Sequence, residues 1–132
     1  MTAGIGTAEV DLLAERGTPF IDTTLFEGFD YSAAAFTMEL RRYPDASGAP
    51  FVSLTNAASN AQGVSVTVTT EDGWPNSEVQ IRINEVTIES LPFSSPRGGD
   101  TILYYALDIA GGGHAKVRRM KGAFIVKASA NG

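Results

Sequence analysis

Cysteine is absent from this chain of 132 residues, and histidine and tryptophan occur once each, as His114 and Trp74. Without cysteine, neither a disulfide framework nor thiolate ligation of a metal is possible. Histidine-based metal sites use two or three histidines at spacings such as HExxH, which a single histidine cannot supply. No apolar run approaches the roughly 20 residues of a membrane span, and the N-terminus lacks the pattern of a signal peptide. The sequence therefore predicts no metal or cofactor and no membrane contact.

Positive charge is also scarce, since ten Lys and Arg against fifteen Asp and Glu give a formal net charge of −5. This balance argues against non-specific nucleic-acid binding, which needs a basic surface. Acidic residues dominate the first stretch, whereas the bases cluster near the end, at Lys116, Arg118, Arg119, Lys121 and Lys127. The split predicts either a solvated strand whose lysines discourage edge pairing or a head-to-tail assembly in which a basic strand meets a neighbour's acidic arm.

Catalytic motifs are missing as well. His114 would have to be the base of any Ser-His-Asp triad, but no serine lies in a strand-turn-helix nucleophile elbow. Glycines 111–113 join two predicted strands, whereas a phosphate-binding loop leads into a helix. Paired carboxylates of a glycosidase meet only in space, and nothing in the sequence singles out a pair. The sequence predicts a protein that is not an enzyme, with a small hydrolase around His114 as the enzymatic alternative.

The chain does contain many apolar residues that alternate with polar ones. In residues 100–128, a run of alternating residues (Leu103, Tyr105, Leu107, Ile109) meets the three glycines, and a second run ends in Phe124 and Val126. Alternation with period two indicates strands with one buried face, and a hairpin alone is marginally stable in water. Similar runs from Thr18 onward bring the total to about seven strands. We predict an all-β fold, an antiparallel β-sandwich over residues 18–132.

Residues 1–17 are predicted to form an N-terminal arm. Small residues precede a short amphipathic piece, 9–16, in which Val10, Leu13 and Ala14 could share one helical face. Eight residues are too few for a stable isolated helix. The arm is therefore interpreted either as a frayed terminus or as a segment that becomes ordered on a partner.

One short helix is predicted at about residues 84–91. Asn84 is a favourable N-cap residue, and Glu85 places an acid where the helix dipole favours it. Pro92 ends the element because it lacks the backbone donor. The β-branched residues 86–88 leave a continuing strand as the alternative.

The order of these segments resembles a known group of proteins. The segments read RGTPF, AAAFTMELRRYPDASGAPFVSL, GVSVTVTTEDG, SEVQIRINEVTIESLP and GDTILYYALDIAGGGHAKVRRMKGAFIVKA. They resemble small β-sandwich proteins of tailed bacteriophages and prophages, and are similar to the N-terminal immunoglobulin-like domain of upper baseplate proteins in siphophages. The resemblance covers residues 16–128, and its motifs (85–92, 105–109 and 122–126) are structural.

This resemblance implies an immunoglobulin-like sandwich and a virion structural subunit made in the bacterial host cytoplasm. The subunit would be present in several copies at the baseplate, tail tip or fibre attachment, with other tail proteins or further copies of itself as partners. A capsid decoration protein is a variant of the same hypothesis. The residues expected at the assembly interface are the arm residues Ile5, Val10, Leu12 and Leu13 and the basic residues Lys116, Arg118, Arg119 and Lys121.

A carbohydrate-binding module is the second hypothesis, from a different class of protein. Its stacking platform would be Trp74, Tyr104 or Tyr43, because aromatic faces combine apolar area with a polar edge. Alternation places Tyr104 and Tyr105 on opposite faces of their strand, so one of the two should be exposed. A tryptophan in a turn can also simply pack over the edge of the core.

Overall fold

A computed structural model describes residues 7–44, 47–92 and 99–127, and these ranges contain nine strands and one short helix. The elements are β1 (Ala8–Glu9), β2 (Leu12–Glu15), β3 (Phe20–Glu27), β4 (Ala35–Arg41), β5 (Val52–Leu54), β6 (Gly63–Glu71), β7 (Trp74–Ile83), α1 (Glu85–Glu89), β8 (Thr101–Gly111) and β9 (His114–Lys127). Two sheets pack against each other around one core. The predicted all-β sandwich with one short helix is confirmed.

The larger sheet has the strand order β1-β9-β8-β4-β5, with β2 following β1 along β9, and the smaller sheet has the order β3-β7-β6. All pairs among β3 to β9 are antiparallel, as expected from the alternating sequence. The predicted final hairpin is β8 and β9, and the inward residues of β8 are all buried. The rings of Phe20 and Phe124 meet between the sheets at a centroid distance of 4.9 Å. Burial of each such side chain stabilises the fold by about 1.5–3 kcal/mol.

Residues 8–15 are not helical, so Val10, Leu13 and Ala14 do not share a helical face. β1 and β2 run parallel to β9, with Leu12 opposite Phe124 and Ala14 opposite Val126. Leu12 and Ala14 are buried while Leu13 and Glu15 are exposed, which is the period of a strand. The edge of β9 offers backbone donors and acceptors that need partners, and this edge pairing decides the conformation. From residue 8 onward the arm is part of the sandwich.

The helix α1 is confirmed, and the alternative of a continuing strand is wrong. Asn84 occupies the N-cap position with φ −68° and ψ 156°, but its side chain makes no capping hydrogen bond. Its Oδ1 instead accepts a hydrogen bond from Nε of Arg82 at 3.2 Å. The turn begins without the side-chain cap that the sequence predicted.

Arg16 ties the N-terminal strands to the end of this helix. Its side chain is buried, with 8% of the residue exposed. Nη1 donates to the carbonyl oxygens of Ile88 and Leu91, both at 3.2 Å, and Nη2 donates to that of Pro92 at 2.6 Å. The Ile88 carbonyl also accepts from the Leu91 amide at 3.2 Å, so Arg16 adds a charged donor at the end of α1 and to the two residues 91 and 92 that follow it.

Replacement of Arg16 by alanine is expected to lower the free energy of unfolding by about 2–4 kcal/mol, because buried carbonyls lose a charged donor. Urea denaturation at neutral pH measures the change. Arg82→Ala is the matched control, since its contact with Asn84 is exposed and its loss should cost less than about 0.5 kcal/mol. Equal losses in the two variants would contradict the role assigned to Arg16.

Candidate functional site

The outward face of the larger sheet carries a groove of about 450 Å³. Its base consists of three rows of cross-strand neighbours from β4, β8 and β9. The rows are Thr37, Asp108 and Arg118; Glu39, Ala106 and Lys121; and Arg41, Tyr104 and Ala123. Glu9 and Asp11 line one side, and Tyr43 and Pro44 line another. The base is low at its centre because Ala106 and Ala123 have small side chains.

Cations and carboxylates alternate along the lining of the groove. Nε of Arg118 lies 2.9 Å from Oδ1 of Asp108, and Nη2 of Arg41 lies 3.0 Å from Oε1 of Glu39. Nζ of Lys121 is 3.7 Å from Oε1 of Glu9 in β1. The lining therefore presents hydrogen-bonding groups of both signs, with each of its three cations beside a carboxylate.

The N-terminal side of the groove is held by hydrogen bonds to β8 and β9. Tyr105 is buried and donates from Oη to the Val10 carbonyl oxygen at 2.6 Å. The Ala123 amide donates to Oδ1 of Asp11 at 3.1 Å, and the Val10 amide donates to the Lys121 carbonyl oxygen at 2.9 Å. The chain between β1 and β2 is thus fixed alongside β9 by hydrogen bonds to Lys121 and Ala123, on both sides of Gly122.

Gly122 is the residue that lets the Val10 backbone lie this close to β9. A Cβ atom at this position would overlap the carbonyl group of Val10, and φ is +156°. Gly122 lies opposite Tyr105 in the hairpin. Only glycine leaves space for the Val10 backbone here.

Two of the three predicted stacking residues lie in the groove. Tyr43 is 65% exposed, and Tyr104 is half-buried on the outward face, whereas Tyr105 points into the core. The prediction that Tyr104 and Tyr105 face opposite sides is confirmed. Trp74 begins β7 in the smaller sheet, away from the groove, and is 69% exposed. It therefore does not pack over the core's edge.

Two of the predicted interface residues are buried, so their assignment to the surface is wrong. Leu12 alternates into the core, with 4% exposed. Arg119 is the extra residue of a β-bulge, because Met120 lies opposite Leu107 while Arg118 lies opposite Asp108. The bulge turns Arg119 inward, where its guanidinium lies 5.1 Å from the ring centroids of Phe26 and Phe29, a cation–π geometry.

The other predicted interface residues are exposed. These are Val10, Leu13, Lys116, Arg118 and Lys121; Ile5 lies outside the described residues, as does the side chain of His114. Lys121 and Arg118 contact Glu9 and Asp108 of the same chain. The head-to-tail hypothesis expected acidic partners for these two residues on a neighbouring subunit. The structure shows acidic partners for both within the same chain.

Sequence reasoning missed the Arg41–Glu39 pair and Asp108. Their only signal was their position at the polar, outward places of β4 and β8, which every solvated strand shares.

No protein-family model matches the chain, and no curated protein is significantly similar to it. In the part of the chain that the structure describes, no helix has the length and apolar character needed to cross a membrane. Among the same residues, no three side chains of His, Asp or Glu are grouped where they could hold a metal ion.

Gly122→Ala is expected to destabilise the protein by about 1–3 kcal/mol, since the added methyl displaces the Val10 carbonyl and the backbone conformation is strained. Hydrogen exchange should show faster exchange of the Val10 and Ala123 amides. Gly113→Ala is the control, because φ is +89° but nothing lies within 4 Å of the added carbon. If Gly113→Ala accelerates the exchange of these amides equally, the effect of Gly122→Ala does not come from overlap with the Val10 carbonyl.

Alkaline pH is expected to destabilise the protein partly through Tyr105. Burial raises the pKa of Tyr105 well above its usual value, and the nearby carboxylates of Asp22 and Asp11 raise it further. The unfolded chain loses this proton near pH 10 and the folded chain retains it. This contribution to stability is therefore fully present below about pH 10 and is lost as the pH rises further.

Urea denaturation at about pH 9 and about pH 11 measures this effect. Tyr105→Phe should lose less stability between the two pH values than the unmodified protein, even though it starts from a lower value because the bond to Val10 is gone. Tyr43→Phe, at an exposed position, should behave as the unmodified protein. Equal pH dependence in all three proteins would refute the assignment to Tyr105.

Proposed function

We propose that this chain is a non-enzymatic structural protein of a phage virion, which works through protein–protein contacts in a multi-copy assembly of the tail. The support from sequence is the order of segments over residues 16–128. The support from the structure is an apolar row, Leu13, Ile125 and Ile102, on the outward face of the larger sheet.

The apolar row crosses three adjacent strands. Leu13 in β2 lies opposite Ile125 in β9, which lies opposite Ile102 in β8. Cross-strand neighbours share one face of a sheet. Leu13 is 61% exposed and Ile102 is 52% exposed. Outward positions of an antiparallel sheet are usually polar, and contiguous exposed apolar surface is typical of interaction sites.

The row also reaches the edge of the sheet. Within the described residues, β2 pairs with β9 alone, so its outer backbone groups face away from any strand. A neighbouring subunit can therefore cover the row with apolar side chains and hydrogen-bond to β2. Because several copies surround a tail axis, such contacts would recur between neighbours. The baseplate, tail tip or fibre attachment is the location that the resemblance implies, and a capsid position is the variant.

Carbohydrate binding is the second candidate function. The observation in its favour is that Tyr43 and Tyr104 line the same groove as the charged side chains of β4 and β8.

Substitution of Ile102 by aspartate is expected to abolish self-association of the chain, because the contact would bury an unpaired carboxylate. Light scattering over a range of protein concentrations measures the solution mass. The unmodified protein should exceed the mass of one chain, and Ile102→Asp should not. Val86→Asp is the matched control, since Val86 on α1 is 82% exposed and lies outside the apolar row.

Two outcomes would contradict the proposed assembly through the apolar row. The first is that the unmodified protein stays monomeric and binds no other tail protein, because no assembly would then exist. Loss of association in Val86→Asp as well as in Ile102→Asp would show that any added charge disrupts it.

A further inference from the structure

We propose that the groove on the larger sheet binds a neutral saccharide, with a sugar ring stacked on Tyr104 and hydroxyl groups bound by the paired charged side chains. This inference rests on the second candidate function, names its ligand class and does not depend on assembly through the apolar row.

The shape of the groove suits a small ligand. Its volume of about 450 Å³ lies within the range of known ligand sites, roughly 300–1,000 Å³. Ala106 and Ala123 keep the centre of the base low, while the chain around Asp11 and the segment at Tyr43 rise on two sides. The apolar row is an open part of the face, whereas this region is concave.

Tyr104 and Tyr43 provide aromatic surface at the groove. Tyr104 lies between Arg41 and Ala123 in its cross-strand row, so its small neighbour Ala123 does not cover the ring. The face of a tyrosine ring packs against the C–H face of a sugar, and its hydroxyl remains available to a sugar hydroxyl. A half-buried tyrosine has less conformational freedom to lose on binding than a fully exposed one.

The polar side chains of the groove match hydroxyl groups. Carboxylates accept hydrogen bonds and guanidinium groups donate them in planar pairs, and a sugar hydroxyl can do both. These side chains are already held in place: Arg118 contacts both carboxylate oxygens of Asp108, at 2.9 and 3.4 Å, and Arg41 donates to Glu39 and to the Gly48 carbonyl oxygen. Such prior positioning lowers the entropy lost on binding.

The charge balance selects a neutral ligand. Four carboxylates (Glu9, Asp11, Glu39, Asp108) and three cations (Arg41, Arg118, Lys121) line the groove. Each of the three cations contacts a carboxylate of this chain. The carboxylate of a uronic or sialic acid would therefore find no cation without a partner, and one carboxylate in excess would repel it. A ligand without charge hydrogen-bonds to these pairs and leaves none of them broken.

A glycan array carrying neutral, uronic-acid, sialylated and amino-sugar oligosaccharides tests the proposal, followed by calorimetry with the neutral probe that binds. We expect binding to a neutral probe that changes little with salt. Tyr104→Ala should weaken it about tenfold or more, Tyr104→Phe should retain most of it, and Trp74→Ala should leave it unchanged. Ala106→Leu, which fills the base of the groove without removing a polar group, should abolish it.

Three outcomes would overturn the proposal: no binding to any probe, binding only to charged probes, or binding that Tyr104→Ala and Ala106→Leu leave intact. Circular dichroism and urea denaturation establish whether each variant is folded. If Tyr104→Ala does not fold, the binding measured with Ala106→Leu decides whether the groove is the site. The same titration with the Ile102→Asp protein separates the two proposals, because its binding should match that of the unmodified chain whether or not the chain assembles.

Discussion

The backbone of Val10 lies directly against Gly122 of β9, and this contact is the constraint on which the other features depend. The missing side chain at Gly122 leaves room for the Val10 carbonyl, and Tyr105 and Asp11 hold the chain there with hydrogen bonds. Because the chain is fixed there, β2 continues along β9 and its inward residues cover the core beside Phe124. The same path carries Arg16 to the end of α1 and places Glu9 beside Lys121 on the wall of the groove.

The outward face of the larger sheet is divided by the order of its cross-strand rows. The row of Leu13 is apolar, the row of Tyr104 is mixed, and the row of Glu39 is charged. None of the three residues of the apolar row lines the groove, so a neighbour that covered this row would lie beside the groove. If several copies assemble through the apolar row, each presents its groove at a fixed spacing. Weak binding of a saccharide to one groove would then become stronger binding to several grooves at once, through effective concentration.

Period-two alternation was sufficient to predict the strands β3 to β9 and the final hairpin, because burial of one face is a local and repeated signal. It failed at residues 8–15, where β2 pairs with a strand more than 100 positions away, and no local pattern reports such a partner. It failed at Arg119 because the bulge at Leu107 and Asp108 shifts the alternation by one residue. The groove was not predictable as a site, since separate segments of the chain line it, although two of its tyrosines were candidates from residue type alone.

Most of the basic cluster near the end of the sequence has partners within the chain. Arg119 lies between aromatic rings in the core, and Arg118 and Lys121 contact carboxylates of the same chain. Exposed ion pairs contribute about 0–1 kcal/mol each, and exchanging such pairs between subunits gains little. Burial of apolar surface contributes about 25 cal/mol for each Å² removed from water. The association that we propose through Leu13, Ile102 and Ile125 would therefore depend on apolar contact, and the paired charges would contribute little to it.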